Sequence, residues 1–348
     1  MAETDGVPVV IGIDVGGTKL VAATLDADGR PLARRRRSTP AREATLLVDT
    51  LHELVAELDP DPDRPLPVGV GIAGTVDTAG VVRYGPNIGV RDLSLADRLG
   101  APGRTVAVVN DASAAALAEQ RVGAGRGYDE LVLVTLGTGV GGGIVTGGRL
   151  LLGASGLAGE VGHLVVAEGG RRCPCGNRGC IEAYASGSAL EHAARERLAD
   201  PDVATALRDV PELTGPAVTE AAAAGDVVAG ELLTDLGRWL GVALAGLVNL
   251  LDPQLLLVGG GAGPGTAPWV LPAAERSLER RVLGASHRSL PPLRLASLGD
   301  DAGLVGAGLL AADRAGILVA APSGSAPSGS APPGPAPSGP RPSVPEVP

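Results

Sequence analysis

All three cysteines of the chain fall within eight residues, as Cys173-x-Cys175-x4-Cys180, and His163 stands ten residues before the first of them. Three thiolates and an imidazole make a complete tetrahedral ligand set for Zn2+. The residues between the last two cysteines, Gly176, Asn177, Arg178 and Gly179, suit a tight turn rather than an apolar core. An odd cysteine count argues against a disulfide framework. A histidine that gives one ring nitrogen to a metal has the other held in a fixed tautomer and direction, free to meet a ligand. Glu160 and Glu182 flank this stretch, so two carboxylates and an imidazole could converge on something rich in hydroxyls. A purely structural metal staple satisfies the same spacing, and the motif alone leaves both open.

A second kind of chemistry is written near the start. Asp14-Val15-Gly16-Gly17-Thr18-Lys19 follows a short apolar run over residues 9–14 and precedes another over 20–25, which reads as strand, turn, strand. The two glycines let a ligand approach the backbone and expose amide donors, while Thr18 and Lys19 add a hydroxyl and a cation. Lys19 is the single lysine of the chain, which suits a position where a compact point charge is wanted. Asp14 at the edge of such an anion cradle makes sense if Mg2+ or its waters lie between. A plain hairpin turn would explain the glycines but not Asp14, Thr18 and Lys19 together.

The unit returns further on. A strand over 131–135 leads into a glycine turn from Leu136 through Gly137, Thr138 and Gly139 to Gly143, and a further strand starts at Ile144. Two strand, turn, strand units read as a duplication whose copies could clamp a polyphosphate from both sides. Gly259, Gly260 and Gly261 close a strand over 254–258 and suit close approach of a flat ring such as adenine. Gly69-x-Gly71-x-x-Gly74 and Gly137-x-Gly139-x-x-Gly142 fit the dinucleotide fingerprint, yet neither opens a helix, because residues 75–82 and 144–145 read as strand. No P-loop string occurs.

Asn110-Asp111 stands at the carboxyl end of a strand over 105–109, just before an alanine-rich helical run over 112–120. Both are ordinary helix caps. Asp111 could also act as a general base at the mouth of the sheet, with Asn110 holding the substrate. The helix amino terminus would keep Asp111 ionised and lower its basicity. That matters little in phosphoryl transfer through a loose transition state, where positioning and charge neutralisation do most of the work.

The elements that must hold these groups follow from the rest of the pattern. Helices are expected over 43–58, 189–198, 218–229, 232–251 and 301–315, and a strand over 68–72. That strand leads to a polar loop ending at Gly85-Pro86-Asn87, and loops between strands are where binding residues gather. Arg34, Arg35, Arg36 and Arg37 read as a solvated face. At 348 residues the chain can form two domains. Its net charge of -10 and its complete lack of Phe argue against nucleic acid or a membrane surface as the main partner. Residues 1–8 carry Glu3 and Asp5 and no apolar run, so no leader is expected, and the apolar stretch over 239–251 is too short to span a bilayer. A cytoplasmic location, where thiols stay reduced, fits the metal site. From Ala321 on, ten of the last 28 residues are proline, which predicts a disordered tail.

Taken together, Asp14-Val15-Gly16-Gly17-Thr18-Lys19, Asn110-Asp111, Leu136-Gly137-Thr138-Gly139, Glu160-Val161-Gly162-His163 and Cys173-Pro174-Cys175-Gly176-Asn177-Arg178-Gly179-Cys180-Ile181-Glu182 closely resemble the ROK family (repressor, open reading frame, kinase). The match runs in order from about residue 9 to 315. The resemblance implies an α/β, actin-like (ribonuclease H-like) duplicated fold of two domains with an ATP cleft between them. The divisions expected are 8–118, 119–318 with the zinc loop and with a last helix packing back on the first domain, and a disordered tail over 319–348. It implies Mg-ATP phosphorylation of a hexose, glucose foremost, at its 6-hydroxyl, by a homodimer or homotetramer. Carried over position by position, Asp111 resembles the catalytic base, and Asn110, Glu160, His163 and Glu182 the sugar ligands, joined by Gly74 and Asn87. Asp14, Gly16, Gly17, Thr18, Lys19, Gly137, Thr138 and Gly139 correspond to the phosphate loops. His163, Cys173, Cys175 and Cys180 correspond to a structural zinc site. The same side chains could grip N-acetylmannosamine, N-acetylglucosamine or fructose, and polyphosphate could replace ATP as donor. A sugar-sensing repressor of the family would carry a helix-turn-helix domain ahead of the first strand, where only eight residues precede Val9. An inactive zinc-stapled scaffold is the remaining rival.

Overall fold

The first apolar run is covered on both faces: Val10, Ile11, Ile13 and Val15 have no exposed surface, the burial expected of a central strand. The computed structural model describes residues 6–40, 43–59, 61, 63–317 and 319. In it β1 (Val10–Val15), β2 (Lys19–Leu25) and β3 (Pro31–Ser38) form an antiparallel meander. The four arginines lie on β3, the edge strand, where Arg34 pairs with Asp301, and Arg35 and Arg37 share Glu57. Charges along an edge discourage pairing with another chain. Helix α1 (Ala44–Leu58) buries Leu47, Leu51, Leu54 and Leu58, a spacing of three and four that keeps one face inward.

Strand β4 (Val68–Ile72) lies parallel to β1. Residues 75–82 do not form one strand. They split into β5 (Thr75–Val76) and the start of β6 (Val82–Gly85), because Asp77 accepts the amides of Ala79 and Val81 and closes a turn. With β7 (Val90–Leu93) they make a separate three-stranded sheet. Helix α2 (Leu95–Leu99), β8 (Val106–Asn110) and α3 (Asp111–Val122) follow. The first large sheet thus runs β3-β2-β1-β4-β8.

The second sheet repeats the plan. Strands β9 (Leu131–Leu136), β10 (Val140–Thr146) and β11 (Arg149–Leu150) again form a meander. Beyond the cysteine stretch come α4 (Glu182–Ala185), α5 (Gly187–Leu198), α6 (Gly215–Ala223) and α7 (Val227–Leu251). Strand β12 (Leu255–Gly259), helix α8 (Gly263–Glu279), β13 (Leu293–Leu295) and α9 (Ala302–Arg314) are the last elements among the described residues. The order is β11-β10-β9-β12-β13, with β12 parallel to β9 as β4 is to β1. This is the duplicated α/β plan of the actin-like class.

Two further expectations need correction, and one element is new. Strand β10 begins at Val140, so Gly141, Gly142 and Gly143 belong to the strand and not to the turn. A Cβ on Gly142 would lie 2.5 Å from Val161, and one on Gly143 2.5 Å from Ala116, so the glycines serve close packing. The helix expected over 218–229 breaks at Gly225, whose φ is +95°, and Asp226 caps α7 through the amide of Ala229. Helix α8 falls in a stretch for which the sequence reading gives no element, and Pro268 and Pro272 lie inside it. It packs on α7 so tightly that Cβ atoms on Gly237 and Gly241 would meet Val270 and Ala274 carbonyls at 2.4 and 2.3 Å. That tertiary contact overrides the local penalty of proline.

Helix α9 lies across the first sheet. A Cβ on Gly12 would be 2.1 Å from the Leu304 carbonyl, and one on Gly69 1.8 Å from that of Ala307. Val319, the first residue assigned to the tail, is buried among Leu309 and its neighbours. The rest of the expected tail lies outside the described residues, as do Glu3 and Asp5. No helix among the described residues is long and apolar enough to cross a membrane.

Candidate active site

The four proposed metal ligands come together: the donor atoms of His163, Cys173, Cys175 and Cys180 all lie within 4.8 Å of one another. Cys175 Sγ is 3.7 Å from Cys180 Sγ, and Cys173 Sγ is 3.9 Å from His163 Nδ1. A tetrahedral zinc with bonds of about 2.3 Å to sulfur needs edges of about 3.8 Å, so the donor set and its spacing both fit. The turn that builds it needs glycine: Gly176 and Gly179 have φ of +97° and +81°, and the Cys173 amide reaches the Asn177 carbonyl. Burial pushes the Cys173 thiol up, while the Asn177 amide holds Cys175 below its usual value. A bound cation is what would let all three ionise together.

With Nδ1 facing the thiols, His163 Nε2 points the other way and stands 4.0 Å from Glu160 Oε2. Glu182 links two parts of the site. One of its oxygens lies 3.6 Å from Cys173 Sγ, and the other accepts the amide of Val140 at 3.0 Å, beside the second glycine turn. A Cβ on Gly139 would collide with that carboxylate at 2.4 Å, which accounts for glycine at this point in the turn.

Asp111 and Asn110 sit where β8 passes into α3. Asn110 accepts the Ser113 amide at 3.1 Å as the helix cap and donates to the Gly74 carbonyl at 3.2 Å. Asp111 opens on a cleft of about 1600 Å3, yet protein surrounds it on most sides. That desolvation raises its pKa, opposed by the amide of Ala112. The direction is opposite to the one expected from the helix terminus: burial outweighs the dipole. Asp14 faces the same cleft and is pushed up to about 7, by burial first and then by the charge of Asp111, with Lys19 opposing.

The cleft brings together Asp14, Lys19, Gly74, Asn87, Asn110, Asp111, Glu160, His163 and Glu182 with Gly137, Thr138, Gly139, Gly259, Gly260 and Gly261. Gly16, Gly17 and Thr18 are not on its wall. Gly17 instead packs under Asn87, and the Gly16 amide closes the turn on the Lys19 carbonyl. The second turn is braced from α5, where the Gly187 amide reaches the Gly137 carbonyl and Ser188 Oγ the Thr138 carbonyl, both at 2.8 Å. Gly260, at φ +83°, brings the third glycine run against the Leu136 carbonyl.

Sequence reasoning missed Thr75, Tyr84, Arg171 and Asp300, all on the cleft wall. Asp300 forms an ion pair with Lys19 at 2.7 Å. Its only local signal is an acidic pair, Asp300-Asp301, before a helix, which reads as capping alone.

Two sheets of one plan, with strand, turn, strand units in each and an aspartate at a helix start between them, define the actin-like class. The chain belongs to the ROK family, whose sequence profile matches residues 10–314. It is 37% identical over 321 residues to a glucokinase of Streptomyces coelicolor, covering 87% of this chain and 97% of that protein. It is 36% identical over 312 residues to an N-acetylmannosamine kinase of Shigella flexneri, covering 87% and 98%. Among solved structures, a ROK family glucokinase from Streptomyces griseus in complex with glucose and AMPPNP is similar at 40% identity, with a TM-score of 0.75 over 87% of this chain and 99% of that one.

Proposed function

We propose that this protein is an ATP-dependent hexokinase that phosphorylates the 6-hydroxyl of glucose. The observation that carries the proposal is the single cleft, in which Asn110, Asp111, Glu160, His163 and Glu182 share a wall-to-wall space with the glycine turns at 137–139 and 259–261. Similarity to glucokinases over nearly the whole chain supports the same substrate.

In this account Asn110, Glu160, His163 and Glu182 hold the sugar hydroxyls, with Gly74 and Asn87 at the rim. Asp111 accepts the proton of the attacking hydroxyl. Its raised pKa suits a general base better than an ordinary carboxylate. The turn at 137–139 presents amides to the nucleotide phosphates, Lys19 adds a cation, and the run at 259–261 leaves room for the adenine. Bound Mg2+ neutralises phosphate charge, and Asp14, a crowded and desolvated carboxylate, is the residue fitted to hold it or its waters. His163, Cys173, Cys175 and Cys180 would hold a zinc ion, which would fix the imidazole and the loop without taking part in the chemistry. The division that goes with this function assigns residues 8–118 to one domain and 119–318 to the other. Reduced thiols go with a cytoplasmic location, and a homodimer or homotetramer is the assembly we propose.

N-acetylmannosamine kinase is the second reading, favoured by relatives of almost equal identity. A coupled assay with glucose, fructose, N-acetylglucosamine and N-acetylmannosamine, each with ATP and with polyphosphate, separates them. The expected result is the highest kcat/KM with glucose and ATP. A preference for N-acetylmannosamine would move the assignment to the second reading, and no transfer to any hexose would overturn both.

A further inference from the structure

Glu119 is fully buried, on helix α3, two turns beyond Asp111. No part of the mechanism above uses it. A buried carboxylate is costly unless its oxygens are fully engaged, and these are. Oε1 accepts the amides of Ser297 at 2.8 Å and Leu298 at 2.7 Å. Oε2 accepts the amide of Ala124 at 2.8 Å and the hydroxyl of Ser297 at 3.1 Å. The backbone carbonyl of Glu119 also receives the amides of Gly123 and Gly125. Gly123 has to be glycine, since a Cβ there would lie 2.2 Å from Oε2.

The partners matter because of where they lie. The chain passes from the first sheet to the second through α3 and residues 123–130, and it returns through residues 296–301 into α9. Ala124 is on the outward crossing, and Ser297 and Leu298 are on the return. One carboxylate therefore ties both crossings together. The pinned helix starts with Asp111. The pinned return segment continues into Asp300 and Gly303 on the cleft wall, and a Cβ on Gly303 would touch Asp14 at 2.9 Å.

We propose that Glu119 is a positioning residue: it locks the two crossings and so sets the distance between Asp111 and the residues around Asp14. The proposal rests on the kinase assignment for its consequence but not for its geometry. Phosphoryl transfer gains most from alignment, and small misplacements far from the chemistry are expensive.

The test is Glu119→Gln, which keeps the shape but turns an amide donor toward backbone donors, with Ser297→Ala removing one hydrogen bond of the four. Glu119→Gln is expected to lower kcat on the order of 10–100-fold, with KM for glucose and for ATP each changed less than about threefold. Ser297→Ala should lower kcat about threefold with the same pattern. Hydrogen exchange on the empty proteins should quicken beyond the broken bonds, at residues 111–114 and 302–304. A residue that serves stability alone would lower Tm and leave kcat per folded molecule at the wild-type value, with faster exchange confined to residues 123–125 and 297–298. That result overturns the proposal. If Glu119→Gln does not fold, unchanged kcat and local exchange in Ser297→Ala overturn it equally. A wild-type protein without hexose kinase activity defeats the kinase assignment instead, and the exchange data still decide whether the pin reaches Asp111.

Discussion

The two strand, turn, strand units are built alike and used differently. In both, a central strand pairs antiparallel with the next and parallel with a later one; the first turn lends the cleft only its flanking Asp14 and Lys19, while the second lines it with Gly137, Thr138 and Gly139. The first copy carries charge: Asp14 at the end of β1, and Lys19 at the start of β2, paired with Asp300. The second is neutral, and its turn is held by hydrogen bonds from Gly187 and Ser188 and by the Val140 amide on Glu182. The first unit thus carries charged groups beside its turn, and the second is a braced frame next to the cluster of His163, Cys173, Cys175 and Cys180. Asp111, reached from the first sheet, belongs with the charged half.

Substitutions in the charged half should therefore cost kcat, and those in the braced half should cost affinity. The largest effect is expected for Asp111→Asn, which keeps the hydrogen-bonding shape and loses the proton acceptor. Steady-state kinetics should show kcat down about 1000-fold with glucose binding little changed; retained turnover would remove the base from the account.

Asp14→Asn should lower kcat by about 100-fold or more and yet stabilise the empty protein. The folded pKa of about 7 exceeds the ordinary 3.8, so the folded chain holds this proton more tightly than the unfolded one. The stability that depends on the proton is present below pH 4 and lost as pH rises through about 7. At pH 8 the ionised group costs at most ~4 kcal/mol. Thermal unfolding in chelator should show a higher Tm for the variant at pH 8 and no advantage at pH 4. An equal Tm at both would contradict the burial argument.

Cys175→Ser tests the braced half. Metal analysis should find the zinc gone, and KM for glucose should rise about 10–100-fold through misdirected His163, with ATP affinity in the absence of sugar changed less than about threefold. Wild-type protein without zinc would end this line. The smallest change is Ser188→Ala, which removes one bond to the second turn: KM for ATP should rise about 2–10-fold with kcat unchanged. A loss in kcat instead would blur the division between the halves.

What the sequence made legible is what adjacent residues decide. The donors at 163, 173, 175 and 180 announce themselves by type and spacing, and the Asn110-Asp111 step by its place between strand and helix. Strand β1 and its turn follow from a short apolar run and two glycines. What stayed hidden depends on partners far along the chain. Asp300 gains meaning only from Lys19, 281 residues away, and Glu119 chiefly from Ser297 and Leu298, 178 and 179 away. Helix α8 contradicts its own prolines because α7 supports it, and the glycines of β10 look like a turn until α3 is laid against them. The pKa of Asp111 follows the same rule, since a helix terminus is local and the burial that raises it is not.

The most direct test is a structure with glucose and a non-hydrolysable ATP analogue. It should place the sugar 6-hydroxyl about 2.6–3.2 Å from the Asp111 carboxylate, with His163 Nε2 and Glu160 on other hydroxyls and the terminal phosphate facing the 6-hydroxyl. Glucose bound out of reach of Asp111, or away from the metal-held imidazole, would contradict the account.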